Sequence, residues 1–493
     1  MRTINVFALL AFGCPSASPF PTPANTFQPH QTSQRGLHLP RSTGTWKCSP
    51  RLSSSLRGGA SVSSSIPSST MSSPSYDVVV FGATSFAGQL ICEYLLQNYG
   101  ATPANFKWAV AARSESKLSA LKERLASEYD TAASTLPTII ADSFDDEAIS
   151  QMVSQTKVVL STVGPYALYG SKLVAACVAA GVHCCDLTGE SLWVKDMIDQ
   201  HHEEAERTGA KIVPSCGFDS IPADIGTFMM VEYMKRTHGV SPSDVRYFLG
   251  KSKGGVRQVP PPPRGGTIAS VMGVLEKVWE GGRSVMKKMS DPVLLTSSAD
   301  AFQQAGDPGG LGYDSLSKSW TAASVFAGHD SKIVFRSGEI LGYPKNFQYK
   351  EVIGFKGLFK GFFPALFTTA AMSVGGLLLF IPLTRKFIAK KFLPAPGEGP
   401  SKELRDTGFF WIDYFAKGQS TDGKEIVCRG TVGSDKGDCG YKETAKMLAE
   451  CGLCLALDDV EYKKGGILTT ATAMGMPLVD RLNKAGMTFK VED

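Results

Sequence analysis

The chain has 493 residues, 43% hydrophobic and 20% charged, too long for a single core and suited to two or three domains. Its 51 basic and 46 acidic side chains are unevenly spread: residues 1–76 carry Arg2, Arg35, Arg41, Lys47, Arg51 and Arg57 with no acid, leaving 45 basic against 46 acidic residues beyond. A nearly neutral body excludes a basic face for nucleic acid, and eleven cysteines at neither disulfide-framework nor zinc-site spacing argue for a reducing compartment and against a metal.

Residues 1–75 read as a targeting leader rather than a fold. Arg2 and the short apolar stretch Val6 to Phe12 are followed by a long run rich in Ser, Pro, Thr and Arg. That order of a signal-like and then a transit-like segment resembles the bipartite presequences of plastid proteins. A simple plastid or mitochondrial transit peptide is the alternative, as is translation from Met71.

The next run, Tyr76 to Leu96, joins a buried strand, a glycine turn and a helix start. Val78 to Phe81 form the unbroken apolar run of a central parallel strand. Gly82 permits the sharp turn that aims the amides of the following helix at a pyrophosphate, and Gly88 lets that helix lie against the sheet. Between them stand Ala83, Thr84, Ser85 and Phe86, all assigned to the coenzyme turn. Ser85 occupies the place where a third glycine is usual; its hydroxyl can bond a phosphate, while its side chain crowds the approach.

A second strand, Phe106 to Ala112, ends in Arg113, where an NAD site would hold a carboxylate for the ribose hydroxyls. Arg113 with Ser114 and Lys117 suits a 2′-phosphate instead, so NADP is favoured and NAD is the alternative; a solvated arginine at a strand end is the plain reading. A third strand ends at Asp142, placed to reach the adenine amine. A fourth, Lys157 to Val163, leads into Gly164-Pro165-Tyr166 and puts Ser161 and Gly164 near the ribose and nicotinamide. A fifth ends at Asp186 before Leu187-Thr188-Gly189-Glu190, and a sixth, Lys211 to Pro214, precedes Asp219. Strand ends at this edge face the ligand crevice, so Tyr166, Asp186, Glu190 and Asp219 are the candidates for orienting or protonating a substrate. Packing of the tyrosine, and helix capping by Thr188 and Ser220 with these acids, explain the same residues.

The fold class is therefore α/β: a Rossmann doubly wound parallel sheet over 76–222, followed by a second α+β domain over 223–493. Lys251, Lys253, Arg257 and Arg264 surround Pro260 to Pro263 ahead of a helix opening at Gly265, and residues 297–330 read as a flexible surface excursion. Phe362 to Leu383 is 22 residues without a charge, about 33 Å as a helix. Lysines and an arginine flank it on both sides, and Pro364, Gly375-Gly376 and Pro382 would bend it. It is the candidate membrane-associating segment, as a bent insertion, a full span or a buried helix. After a linker at Pro394 to Pro400, Phe409 to Phe415 and Ile426 to Val432 read as strands, with a helix from Tyr441 to Leu457 closing over them.

Taken as a set, Val80-Phe-Gly-Ala-Thr-Ser-Phe-Ala-Gly88, Val163-Gly-Pro-Tyr166, Asp186-Leu-Thr-Gly-Glu190, Cys216-Gly-Phe-Asp-Ser-Ile-Pro222, Gly265-Gly-Thr267 and Pro396-Gly-Glu-Gly-Pro-Ser401 resemble the saccharopine dehydrogenase-like oxidoreductase family, close to the bacterial trans-acting enoyl reductases. The resemblance runs from Tyr76 to the C-terminus. It implies an NADP-binding domain and association with a membrane or lipid body, with some members acting in glycolipid synthesis. The leading expectation is an oxidoreductase that reduces a lipid-linked double bond at a membrane-associated organellar site, plastid before mitochondrion, with a lipid droplet as another location and a homo-oligomer allowed. The alternatives are a non-catalytic nucleotide-binding scaffold at a lipid surface and a true saccharopine dehydrogenase, whose several substrate carboxylates would call for a cluster of cations and no apolar anchor.

Overall fold

The computed structural model describes residues 74–253, 265–303, 309–392 and 399–492. The leader, the Pro-rich loop with Arg257 and Arg264, and most of the 394–400 linker lie outside the described residues.

Six strands alternate with helices in the first part of the chain: β1 (Tyr76–Phe81), β2 (Trp108–Ala112), β3 (Thr138–Ile140), β4 (Thr156–Ser161), β5 (His183–Asp186) and β6 (Lys211–Val213). All their pairings are parallel, in the order 3-2-1-4-5-6. β1 is central and buried on both faces from Val78 to Phe81, which is why its apolar run shows no alternation. The order reverses between β1 and β4, the place where such sheets open a crevice for a dinucleotide.

The other strands are β7 (Asp244–Lys253), β8 (Gly312–Asp314), β9 (Ser319–Ala323), β10 (Gln348–Lys356), β11 (Phe409–Gln419), β12 (Glu425–Ser434), β13 (Gly466–Ile467) and β14 (Thr488–Glu492). A second sheet has the order 14-12-11-7-10-9-8, antiparallel except where β7 meets β10. β11 alternates strictly, with Phe410, Ile412, Tyr414 and Ala416 buried on one face. The helix Ile221–His238 packs against this second sheet. Gly226 lets it lie against Tyr414, whose hydroxyl donates to the carbonyl of Pro222.

Three segments depart from the sequence reading. β13 returns from the far end of the chain to pair with β6, so the parallel sheet has a seventh strand. The helix Lys442–Leu457 covers that same sheet instead of closing over β11 and β12: it packs on the helix Phe86–Tyr99 and on β1, β4 and β5, with Gly452 against Leu160. The described residues of 297–330 are not a surface excursion. They supply β8 and β9 and bury Phe302, Thr321, Ala322 and Ala323.

Phe362–Phe380 is the helix long and apolar enough to cross a membrane among the described residues. It rests on β9 and β10 through Ala365 and leaves Phe363 72% and Phe367 66% exposed. Leu366, Val374, Leu377, Leu378, Leu383 and Phe387 extend this uncovered apolar surface.

Candidate functional site

The turn after β1 is built by two glycines for two reasons. Gly82 has φ +83°, and a Cβ there would stand 2.7 Å from Thr162 Oγ1. Gly88, one turn into the helix, would put a Cβ 2.2 Å from the Gly82 carbonyl oxygen. Ser85 takes the N-cap position: its Oγ accepts from the Gly88 amide at 2.9 Å and lies 2.9 Å from Thr162 Oγ1. The hydroxyl thus belongs to the turn, and the crowding expected of Ser85 is resolved by folding the side chain back onto its own helix. The Ala83 amide bonds the Ala111 carbonyl. The amides of Thr84, Phe86 and Ala87 have no partner among the described residues, and they open the helix where its dipole favours an anion.

Arg113 follows β2, exposed and without an ion pair among the described residues. Ser114 caps the helix Glu115–Glu128, its Oγ accepting from Lys117 N at 3.4 Å. Asp142, after β3, accepts from the Phe144 amide through one carboxylate oxygen at 2.9 Å and is partly exposed. In the register of the sheet Ser161 stands beside Phe81 on one side and Asp186 on the other, so the ends of β1, β4 and β5 form one edge. Gly164 is exposed at that edge. Pyrophosphate turn, unpaired strand-end arginine and open edge together fit a dinucleotide with a 2′-phosphate.

Three of the four expected acid–base residues are hydrogen-bonded to backbone groups. Tyr166 is 5% exposed; its hydroxyl donates to Ser161 O and accepts from Leu187 N, both at 3.1 Å. Burial, with Asp186 nearby, pushes its pKa well above the usual phenol value, so the hydroxyl keeps its proton and its partners. One oxygen of Asp186 accepts from the amides of Thr188 (2.8 Å) and Ser215 (3.1 Å), tying the end of β5 to that of β6. Burial raises its pKa to about 7 against the pull of those two hydrogen bonds. Glu190 accepts from the amides of Tyr166 (2.9 Å) and Ala167 (3.0 Å), a carboxylate placed at a helix start.

Asp219 is different. It lies partly exposed on the loop after β6, and its charge acts on two buried carboxyls that sequence reasoning did not select, Asp330 and Glu351. These two hydrogen-bond each other. Ser220 Oγ donates to Asp330 Oδ1 (2.9 Å), Ser324 Oγ to Glu351 Oε1 (2.6 Å) and Tyr349 OH to Glu351 Oε2 (3.1 Å). Burial raises both carboxyls, Glu351 to about 7 and Asp330 well above the usual range, so the pair shares a proton at neutral pH. Beside it His329 joins Ser191 (Nδ1, 2.7 Å) to Ser215 (Nε2, 2.9 Å). Ser215 donates to the Thr188 carbonyl, so it accepts from Nε2–H, and burial drops the imidazole pKa to about 3. The ring is a neutral brace. No sequence signal marks these residues, because Asp330 lies 110 positions from Ser220.

The nine described cysteines are buried, and no group of metal-ligating side chains occurs among the described residues.

Residues 78–213 match the family model for the saccharopine dehydrogenase NADP-binding domain. Over 430 residues, 84% of this chain and 97% of the relative, the sequence is 33% identical to a Mycobacterium tuberculosis protein whose name places it among the trans-acting enoyl reductases. It is 32% identical over 427 residues to the trans-acting enoyl reductase of Mycobacterium bovis, again covering 84% and 97% of the two chains. Among solved structures, apo saccharopine dehydrogenase (L-Glu forming) from Saccharomyces cerevisiae aligns with 85% of this chain and 99% of its own, at 12% identity and a TM-score of 0.46.

Proposed function

The chain belongs to the saccharopine dehydrogenase-like oxidoreductase family and is an NADP-binding oxidoreductase, and from that premise we propose that it reduces a carbon–carbon double bond in a lipid-linked substrate at a membrane or lipid-body surface, as a step in glycolipid synthesis. The observation that carries the reaction class is the kinship with trans-acting enoyl reductases along nearly the whole of their length. The exposed apolar face of Phe362–Phe380 supports the lipid setting.

Reduced NADP supplies a hydride when bound. This chain's part is to hold the nucleotide on the turn at Gly82, select its 2′-phosphate with Arg113, and deliver a proton to the second carbon of the double bond. Asp219, partly exposed on the loop after β6, is the carboxyl we assign to that role. From that exposed position it regains its proton from solvent after each turnover. The leader composition supports delivery to an organelle, plastid before mitochondrion, with a lipid droplet as the other location; a fluorescent fusion of the full chain reads this out.

The test is NADPH oxidation followed at 340 nm with the purified protein and a lipid extract, then mass spectrometry for a product two hydrogens heavier. Turnover supports the reductase. Tight NADPH binding with no turnover on any lipid favours a nucleotide-binding scaffold, a reading to which the committed state of three of the four acid–base candidates lends weight.

A further inference from the structure

We propose that Arg405, nearly 320 residues beyond the coenzyme turn, is a phosphate ligand of the nucleotide, holding the pyrophosphate from the side opposite the glycines. The proposal rests on the reading of that turn as the NADP site. Phe86 is the first residue of the helix after the turn, and a side chain there leans toward the helix N-terminus. Its ring is held by residues from the far end of the chain. Gly399 lies so near that a Cβ on it would fall 2.2 Å from Phe86 Cε1, and Tyr441 meets the ring edge-on at 4.9 Å. The guanidinium carbon of Arg405 sits over the ring at 5.3 Å. The motif ending at Ser401, one of those carrying the family resemblance, therefore lands on the coenzyme turn.

Arg405 has no acidic partner among the described residues. Its Nε is buried with no hydrogen bond, and the side chain makes no ion pair among the described residues. Two described acids nearby are engaged elsewhere: Asp406 pairs with Lys442 at 2.7 Å, and Asp438 accepts from the amides of Gly440, Tyr441 and Lys442. A permanent cation stands at the positive end of a helix whose amides at Thr84, Phe86 and Ala87 are also unmatched. Two electropositive features side by side repel each other unless an anion lies between them. A phosphate oxyanion satisfies both, and the guanidinium fork suits its geometry. Arg113, at the end of the neighbouring strand, is the residue placed for the 2′-phosphate, so Arg405 falls to the pyrophosphate, which NADPH and NADH share.

The test compares NADPH and NADH dissociation constants, by fluorescence, for the full chain, Arg405→Met and Arg405→Lys. Met keeps an apolar stem on Phe86 and removes the charge; Lys keeps the charge. Arg405→Met is expected to weaken both coenzymes by the same factor, roughly tenfold or more, with Arg405→Lys in between. Wild-type affinity in a folded Arg405→Met protein would reduce Arg405 to a packing residue. Loss confined to NADPH would move it to the 2′-phosphate and overturn the pyrophosphate assignment. Misfolding of Arg405→Met leaves the decision to Arg405→Lys, where equal weakening of both coenzymes sustains the proposal and unchanged or NADPH-only affinity overturns it. If the unmodified chain binds neither coenzyme, the underlying nucleotide reading fails and takes this one with it.

Discussion

Gly88 approaches Gly82 so closely that a side chain on the first would collide with the carbonyl of the second, at 2.2 Å. The contact is backbone against backbone, so no flexible group can yield. Gly88→Ala must push the helix Phe86–Tyr99 off the sheet, which costs about 1–3 kcal/mol as overpacking and spoils the aim of its amides. The expected outcome is a lower unfolding midpoint together with NADPH binding too weak to raise it. A variant as stable as wild type and equally stabilised by NADPH would contradict this account of the turn.

Arg113 is exposed and makes no ion pair among the described residues, so its removal should cost little stability. Charge-assisted hydrogen bonds to a phosphate contribute about 1.5–3 kcal/mol, or roughly 10- to 100-fold in affinity. Arg113→Ala should therefore weaken NADPH by that factor, leave NADH unchanged and leave the unfolding midpoint in place. Parallel titrations with the two coenzymes decide it; equal loss of both would show that Arg113 does not read the 2′-phosphate.

Glu351 gives a pH signature. Its folded pKa is raised from 4.5 to about 7, chiefly by burial, so between those values the folded chain holds a proton that the unfolded chain has released. The contribution to stability is full below pH 4.5 and is lost as pH rises through 7. Glu351→Gln cannot ionise. Relative to the variant, wild type should lose on the order of 2 kcal/mol between pH 5 and pH 8, read from urea midpoints. His329 slopes the other way: its pKa is lowered to about 3, so it costs stability as pH falls below 6.5, but it is common to both proteins and cancels. Parallel curves for the two proteins would mean that the pair carries no shared proton.

Glu450 is the knot between the two ends of the chain. Tyr94 and Tyr99 donate to its Oε1 at 2.6 and 2.7 Å, and Arg481 pairs with Oε2 at 3.0 Å. Glu450→Ala leaves two partly buried hydroxyls without their acceptor, while Arg481 keeps its pair with Asp458. A loss of about 2–3 kcal/mol is expected, measured by urea unfolding. A cost below 1 kcal/mol would show the network to be dispensable.

The coenzyme turn was legible because everything that makes it is local: an apolar run, a glycine with positive φ, and a glycine one helical turn later. Arg113 was legible for the same reason, as a side chain at a strand end. The rest of the site depends on residues that meet only after the chain has folded. Phe86 and Arg405, or Ser220 and Asp330, are separated by lengths over which no period or spacing carries information. Tyr166 misled because an aromatic following Gly164-Pro165 at a ligand edge reads the same whether its hydroxyl faces the crevice or turns back to Ser161. Residues 297–330 misled by composition. Their Ser, Gly and Asp content signals turns, yet Asp314, Ser319 and Thr321 are buried by pairing into the short strands β8 and β9, not by their own apolarity. The helix Lys442–Leu457 is buried almost all round, so no stripe on it could say which sheet it covers.

The helix Phe362–Phe380 supplies the last prediction. Because Phe363 and Phe367 project from the protein, replacing both by Asp removes little packing, and the unfolding midpoint should stay within a degree or two of wild type. Their removal from a lipid surface is another matter. Two aromatic side chains each contribute roughly 1.5–3 kcal/mol when buried, and two carboxylates add repulsion from anionic headgroups. Phe363→Asp/Phe367→Asp should abolish co-sedimentation with vesicles of phosphatidylcholine and phosphatidylglycerol while NADPH affinity stays unchanged. Reduction of a lipid substrate should fall with vesicle binding, and oxidation of NADPH by a short, water-soluble enoyl analogue should persist. If the double variant sediments with vesicles as wild type does, this face is not the lipid contact, and the membrane setting proposed for the reaction loses its support.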